Sequence, residues 1–378
     1  KDGLITMMRI EDVTGDYIKL KEDNRILVKA NKNKGELGKY KLLSEGIDND
    51  KDGKFNEDGK GGIAFNKNFS YNYPYFKPGA GEHALSEKEN RALLDFLYEK
   101  WNIFSIVTLG PENNLSNPLK YNASAARKRV VTSVLKQDAD LNKFLSGKYK
   151  KMTGTKDAPK SSGKGGDFFQ WSYFHFGKLA LATPGWWVPK VKDAEKKSSK
   201  NNYVNYLNWA KKENISNAFV DWKQVNHPDF PNQKVEVGGI APYKMINPPY
   251  KMVADISKKH TDFILELAKM QPNISLENVT SESVGSGLTR VTLDVHNNGL
   301  LPTHTEMGKR SRWLRKIKVA VKLNKNQQIL SGREITLVNS IDGDSSQKFS
   351  WLIKGKGNIS IEAGTSHTGS DSATIKLK

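Results

Sequence analysis

The feature that most constrains this chain is an amphipathic segment followed within a few residues by a short apolar one. Ser86 to Lys100 carries Leu93, Leu94, Phe96 and Leu97 at helical spacing, and Trp101 extends the same face. Ser86 reads as the N-cap and Glu89 as the acid that completes a capping box. Ile103 to Leu109 then reads as a buried strand, since a β-branched apolar run without alternation suits a strand covered on both faces. A helix leading into a covered strand implies an α/β sheet. Leu179 to Thr183 repeats the strand pattern and is ended by Pro184-Gly185. Ala123–Leu145, Tyr203–Glu213 and Ser257–Lys269 read as helices, and Tyr17–Lys21 and Arg25–Val28 as strands. The expected fold is an α/β domain with a mixed, largely parallel sheet flanked by helices.

After Pro272 the texture changes. Thr289–Val295, Lys316–Leu323, Glu334–Val338, Ser346–Ile353, Asn358–Ala363 and Ala373–Leu377 alternate apolar and polar residues at turn-length spacing. About a hundred residues of this kind make an immunoglobulin- or fibronectin-like β-sandwich. The division expected is 1–272 for the α/β domain and 273–378 for the sandwich. The first residues, Lys1-Asp2-Gly3-Leu4, read as the middle of a folded segment, so residues upstream are expected.

Several function classes are narrowed by composition. There is no cysteine, which excludes disulfides, thiolate metal sites and a cysteine nucleophile. No apolar run reaches the length of a membrane span. Sixty Lys and Arg against 41 Asp and Glu give a net charge of +19. The lysines are scattered and no nucleic-acid motif accompanies them, so solubility is the simpler reading of the charge. The densest basic run, Lys190 to Lys200, is interrupted by Asp193 and Glu195 and reads as a solvated loop.

The loop from Asp48 to Asp58 (Asp-Asn-Asp-Lys-Asp-Gly-Lys-Phe-Asn-Glu-Asp) places acids at alternate positions, a glycine sixth and a further acid five residues on. Oxygen ligands with that spacing suit Ca²⁺, with Asp48, Asp50, Asp52 and Asp58 as the candidate ligands. The terminal acid falls one place early for an EF-hand, and no flanking helix pair is evident. A solvated Asx-rich turn is the alternative. A bound calcium would be structural, pinning the loop that leads to Asn66.

Four segments occur in an order that resembles the zinc metallocarboxypeptidases of the carboxypeptidase A type. Gly62-Ile63-Ala64-Phe65-Asn66-Lys67-Asn68-Phe69 looks like the family's G-V-D-L-N-R-N-F. Glu82 to Arg91 is similar to its P-x-S-E-P-E-T-R helix start, and Ile106 to Pro118 to the strand and loop that carry a zinc-binding His. Gln170-Trp171-Ser172-Tyr173 with Gly177 and Thr183 looks like D-W-x-Y-x-x-x-G-x-x-x-x-x-T-x-E. The segment Val235 to Pro242 resembles bacterial members that carry a C-terminal sandwich. The resemblance covers roughly residues 1–270.

It implies a zinc held by two His and one Glu, a Glu general base, and an Asn-Arg pair gripping the substrate's terminal carboxylate. Several of these roles are vacant here. The second His position falls on Gly110 and the base position on Gly185. The loop before Trp171 lacks the substrate-capping Tyr, and Lys67 replaces Arg, losing the planar fork. Glu112 stands near the vacant His position but reads as a surface-loop residue. His175 reads as a packed residue on a strand between Phe174 and Phe176, with a displaced ligand as the other reading. Trp186 and Trp187 either pack in the core or stack a ligand ring, and Asn66, Lys67 and Trp186 are the candidate substrate-binding residues.

The expected function is a non-catalytic, peptide- or glycan-binding member with a degraded zinc site. Its partner would be a peptide C-terminus or an anionic glycan. Two alternatives remain: an active zinc carboxypeptidase whose ligands come from elsewhere, and a scaffold for a binding sandwich. A calcium-type loop and a sandwich tail suit a secreted or periplasmic setting.

Overall fold

The computed structural model describes residues 3–56, 62–161, 165–191 and 199–378. In chain order it holds β1 (Met7–Glu11), β2 (Tyr17–Lys19), β3 (Leu27–Lys29), β4 (Tyr40–Ser44), α1 (Lys88–Glu99), β5 (Ser105–Leu109), α2 (Ala123–Ala126) and α3 (Lys136–Thr153). Then come α4 (Phe168–Phe174), β6 (Leu179–Thr183), α5 (Asn202–Lys212), β7 (Phe219–Val225), β8 (Val235–Ile240) and α6 (Tyr250–Lys269). The last part holds β9 (Ile274–Gly285), β10 (Leu288–Asn297), α7 (Glu306–Ser311), β11 (Ile317–Lys322), β12 (Gln328–Ser331), β13 (Ile335–Val338), β14 (Ser345–Lys354), β15 (Gly357–Thr365) and β16 (Gly369–Leu377). The chain is therefore mixed α/β with a β-rich C-terminal region. It divides into two compact units, one of Lys1–Gly62, Lys156–Pro159 and Gly185–Ser257, the other of Ile63–Thr155, Lys160–Pro184 and Lys258–Lys378.

The first unit is built on a six-stranded sheet in the order β3-β2-β4-β1-β8-β7. Every pairing in it is antiparallel. Central β1 buries Met8 and Ile10 with Phe55 and Val235 on one face. Arg9 alternates to the other face, where its Nε donates to Glu236 at 2.8 Å and its guanidinium stacks 4.3 Å from the Trp222 ring. A second apolar cluster gathers Val204, Tyr206, Leu207 and Trp209 of α5 with Ile26.

The second unit contains the parallel pair β5–β6, with Ser105 opposite Leu179 and Leu109 opposite Thr183. This is the one parallel pairing among the described residues, so the largely parallel sheet expected from the apolar runs is not what forms. In the large sheet β2–β3 and β7–β8 are consecutive strands whose connections, residues 20–26 and 226–234, are too short for the crossover of a dozen residues or more that parallel pairing needs. The unit also contains the sandwich, whose antiparallel sheets run β12-β14-β10-β9 and β13-β11-β15-β16. Val291, Leu293, Trp351 and Ile353 of one sheet share a core with Val319, Val321, Ile359 and Ile361 of the other.

The sandwich begins at Ile274, yet its unit reaches back to Ile63. Thr305 Oγ1 donates to Gly177 O at 2.7 Å, and Asp138 of α3 accepts the backbone N–H groups of Glu306 and Met307. Trp313 lies 4.4 Å from Tyr98 and 5.5 Å from Trp101, centroid to centroid. Gly177 takes φ +70°, and a β-carbon there would fall 2.8 Å from Gly308 Cα, so only glycine lets the two backbones approach.

Three local expectations change. α1 starts at Lys88, and its N-cap Glu87 makes no side-chain capping bond. Asn68 holds the helix entry instead, accepting from Glu87 N and donating to Ser86 Oγ. The helix expected over Ala123–Leu145 is broken between α2 and α3, because side chains claim the backbone there: Tyr71 Oη donates to Val131 O, and Leu135 N donates to Tyr173 Oη. His175 caps the end of helix α4 rather than sitting on a strand, with its Nδ1 2.9 Å from Ser70 Oγ.

Candidate functional site

The segment following β5 positions the first group. Gly110 N continues the pairing by donating to Thr183 O at 3.0 Å, and the chain then turns inward. Glu112, Asn113, Asn114, Leu115 and Ser116 are all buried. Asn114 acts like a short strand: its Oδ1 accepts from Ala182 N at 2.7 Å and its Nδ2 donates to Ala180 O at 2.9 Å. The surface-loop reading of Glu112 is thus overturned. A polar run after an apolar strand resembles a loop in sequence, and nothing in the spacing reveals that amide side chains satisfy it.

Glu112 meets Asn66, which the helical turn Phe65–Lys67 presents. Asn66 Nδ2 donates to Glu112 Oε1 at 3.2 Å, and Asn66 Oδ1 accepts from Phe168 N, the first residue of α4, at 2.8 Å. Both ends of the amide are therefore engaged within the protein. Asp167 is buried beside them and accepts from Gln170 N and Gln170 Nε2. Burial, then the nearby Asp167 charge, pushes the Glu112 carboxyl above the usual carboxylate range, with the Asn66 bond opposing. Burial likewise raises Asp167. The adjacent Lys67 turns away, its Nζ donating to Pro78 O at 3.0 Å.

Neither Gly110 nor Gly185 offers a side-chain donor. Gly185 also takes φ +75°, a conformation that a residue with a β-carbon seldom adopts, so a carboxylate base is poorly accommodated in that turn. The residues at these two positions do not fit a zinc-water centre. Trp186 belongs to the first unit and packs 5.6 Å from Trp209, which fits its core-packing reading; Trp187 Nε1 donates to Lys156 O.

Among the described residues, Asp48, Asp50 and Asp52 form the one group of three side chains able to share a metal, with ligand atoms within 4.8 Å of one another. Asp48 is buried and organises the loop, accepting from Asp52 N at 3.1 Å and Gly53 N at 3.0 Å. Three hard carboxylate oxygens suit Ca²⁺ better than a thiolate- or imidazole-seeking ion. The fourth expected ligand, Asp58, lies outside the described residues.

Residues 273–376, the sandwich, match the family described as "Domain of unknown function (DUF8731)". No curated protein matches the chain. Among solved structures, 28% of this chain is similar to 15% of DesR, a β-glucosidase from Streptomyces venezuelae, at 15% identity and a TM-score of 0.17. The same share is similar to 17% of a Bifidobacterium adolescentis GH3 β-glucosidase at 15% identity and a TM-score of 0.17. It is also similar to 83% of a PapD-like domain of human CEP192, at 11% identity and a TM-score of 0.16. The chain thus spans under a fifth of either glucosidase.

Proposed function

We propose that this chain is a carboxypeptidase-like protein that binds a ligand without hydrolysing it. The observation that carries the absence of hydrolysis in this reading is the bond between Asn66 and buried Glu112. The amide that would grip a substrate's terminal carboxylate already holds a carboxylate of the protein's own. A peptide terminus would have to displace a buried, hydrogen-bonded group, which costs free energy before any contact is made. Glycine at both the zinc-ligand and general-base positions supports the same reading.

Elemental analysis of the purified chain is expected to give zinc near background, and peptides with free C-termini are expected to stay intact with zinc added. About one zinc per chain together with release of C-terminal residues would overturn the proposal in favour of an active peptidase.

The reading includes a structural calcium at Asp48, Asp50 and Asp52, and an exported setting where the ion is abundant. Saturating Ca²⁺ is expected to stabilise the chain by ~3 kcal/mol at a hundredfold excess over Kd. In a thermal scan the midpoint should rise by a few degrees, and Asp48→Asn should remove most of the rise. Equal shifts with Mg²⁺, or none with either ion, would count against a calcium site.

A further inference from the structure

Arginine is scarce in this chain and unevenly placed. Of ten arginines among sixty basic residues, five fall in two short segments, Arg127 and Arg129 in one and Arg310, Arg312 and Arg315 in the other. Neither segment carries a compensating acid: no Asp or Glu occurs between Glu112 and Asp138, nor between Glu306 and Glu334. The fold of the second unit brings the two segments together. Met307 of α7 and Ala126 of α2 share one apolar cluster, and Arg310 Nη1 donates to Ala126 O at 3.5 Å, one residue before the turn Arg127-Lys128-Arg129. All five arginines are exposed.

Among the described residues the guanidinium–carboxylate pairs are Arg9 with Glu236 and Arg25 with Asp23, both in the first unit. None of the five has such a partner. The acids that border them are occupied elsewhere: Asp138 accepts from Tyr173 Oη, Glu306 N and Met307 N, and Glu306 Oε2 accepts from Gln137 N at 3.0 Å. Arg315 is also held in place. Its guanidinium lies 3.9 Å from the Trp101 ring centre, and its carbonyl accepts from His304 Nε2 at 2.9 Å. A guanidinium backed by an indole keeps its N–H edge for an oxyanion and has less freedom left to lose on binding. Five guanidiniums drawn together with no carboxylate among them repel one another, and an anionic partner relieves that repulsion.

The surroundings narrow the kind of polyanion. Trp101 carries Arg315 and packs 5.5 Å from Trp313, which in turn lies 4.4 Å from Tyr98, so these rings are not free to stack an unpaired base. Helix α7 has six residues, too few to lie along a major groove and read base edges. What remains is a set of charged forks suited to oxyanions repeated along a chain. We propose that this face binds an acidic polysaccharide through its carboxylate or sulfate groups. The choice of polysaccharide over nucleic acid also rests on the exported setting proposed above.

The test is binding of the full chain, at physiological salt, to three fluorescent probes: a heparin oligosaccharide, an oligogalacturonate and a DNA duplex of matched charge. At least one sugar chain is expected to bind about tenfold more tightly than the duplex. The variant Arg127→Gln, Arg129→Gln, Arg310→Gln is expected to weaken that binding about tenfold. The variant Lys325→Gln, Lys354→Gln, Lys356→Gln removes the same charge from turns of the sandwich and is expected to weaken it less than about twofold, since distant charges are screened. A third variant, Arg127→Lys, Arg129→Lys, Arg310→Lys, keeps the net charge and is expected to lose about threefold, the part owed to the planar fork. Thermal midpoints are expected to stay within a degree or so throughout, because the replaced side chains are exposed. Tighter binding of heparin assigns the site to sulfate, and tighter binding of galacturonate to carboxylate. Equal losses in the two Gln variants, a Lys variant that binds like the wild type, DNA bound as tightly as either sugar chain, or no binding of either sugar chain would each overturn the proposal. The zinc and calcium measurements do not involve these arginines, so either reading can fail without the other.

Discussion

Replacing Asp138 by alanine is expected to lower the unfolding free energy by ~3–5 kcal/mol, since each of the buried neutral donors it leaves without an acceptor costs about 1–3 kcal/mol. Asp138 stands in the first turn of α3 and is 4% exposed. Its carboxylate accepts from Tyr173 Oη at 2.7 Å, Glu306 N at 2.7 Å and Met307 N at 3.0 Å. Alanine would leave one hydroxyl and two backbone N–H groups buried without an acceptor. Asparagine keeps one oxygen but sets an N–H₂ where a donor already points, so Asp138→Asn should cost roughly half as much. Burial outweighs these bonds and holds the Asp138 carboxyl above the usual range, so the neutral side chain loses less than an exposed comparison suggests. Denaturant titration of the three proteins decides the matter. A loss under ~1 kcal/mol for Asp138→Ala would show that water or a shifted backbone replaces the carboxylate.

Acidification should destabilise the second unit well above the pH at which ordinary carboxylates titrate. His304 and His367 are buried with their rings 5.1 Å apart at 87°. His304 Nε2 lies 2.9 Å from Arg315 O and His367 Nε2 2.9 Å from Thr303 O, carbonyls that require each nitrogen to carry its proton. Burial holds both rings at a pKa of about 4 against 6.5 unfolded, and the Lys178 charge adds to the effect in both. Between these values the unfolded chain binds protons that the folded chain refuses, so stability falls as pH drops from 6.5 toward 4. Each ring contributes ~3 kcal/mol over that window. Glu112, Asp138 and Asp167 oppose the trend, since burial raises their carboxyls and the folded state takes their protons first. The histidine part is therefore read from the difference between the wild type and a His304→Gln, His367→Gln double variant. Parallel stability curves for the two proteins from pH 6.5 to 4.5 would refute the assignment.

What the sequence made legible is what depends on near neighbours. β6 forms over Leu179–Thr183 as its apolar run implies, α5 falls within a residue of Tyr203–Glu213, and six sandwich strands follow their alternation. The glycines at 110 and 185 were also plain, since a missing side chain needs no structure to be noticed. What escaped depends on partners distant in the chain. The large sheet gathers β1 beside β8, 228 positions from Met7 to Val235, and no local pattern names that pairing. β5 reads as covered on both faces but leaves Leu109 70% exposed. Glu112 looks solvated until Asn66 and Asp167 enclose it.

The interleaving of the two units bears on how the chain is made. Each takes residues from both sides of the other, and the second is complete only when β16 has been synthesised. The N-terminal sheet must wait for β7 and β8, and the aromatic bed of Tyr98 and Trp101 stays bare until Trp313 arrives. Contacts of such long sequence separation fold slowly and late. A nascent chain of this protein therefore carries unsatisfied strand edges until β8 has emerged and bare rings until Trp313 has, the interval in which a chaperone has most to hold.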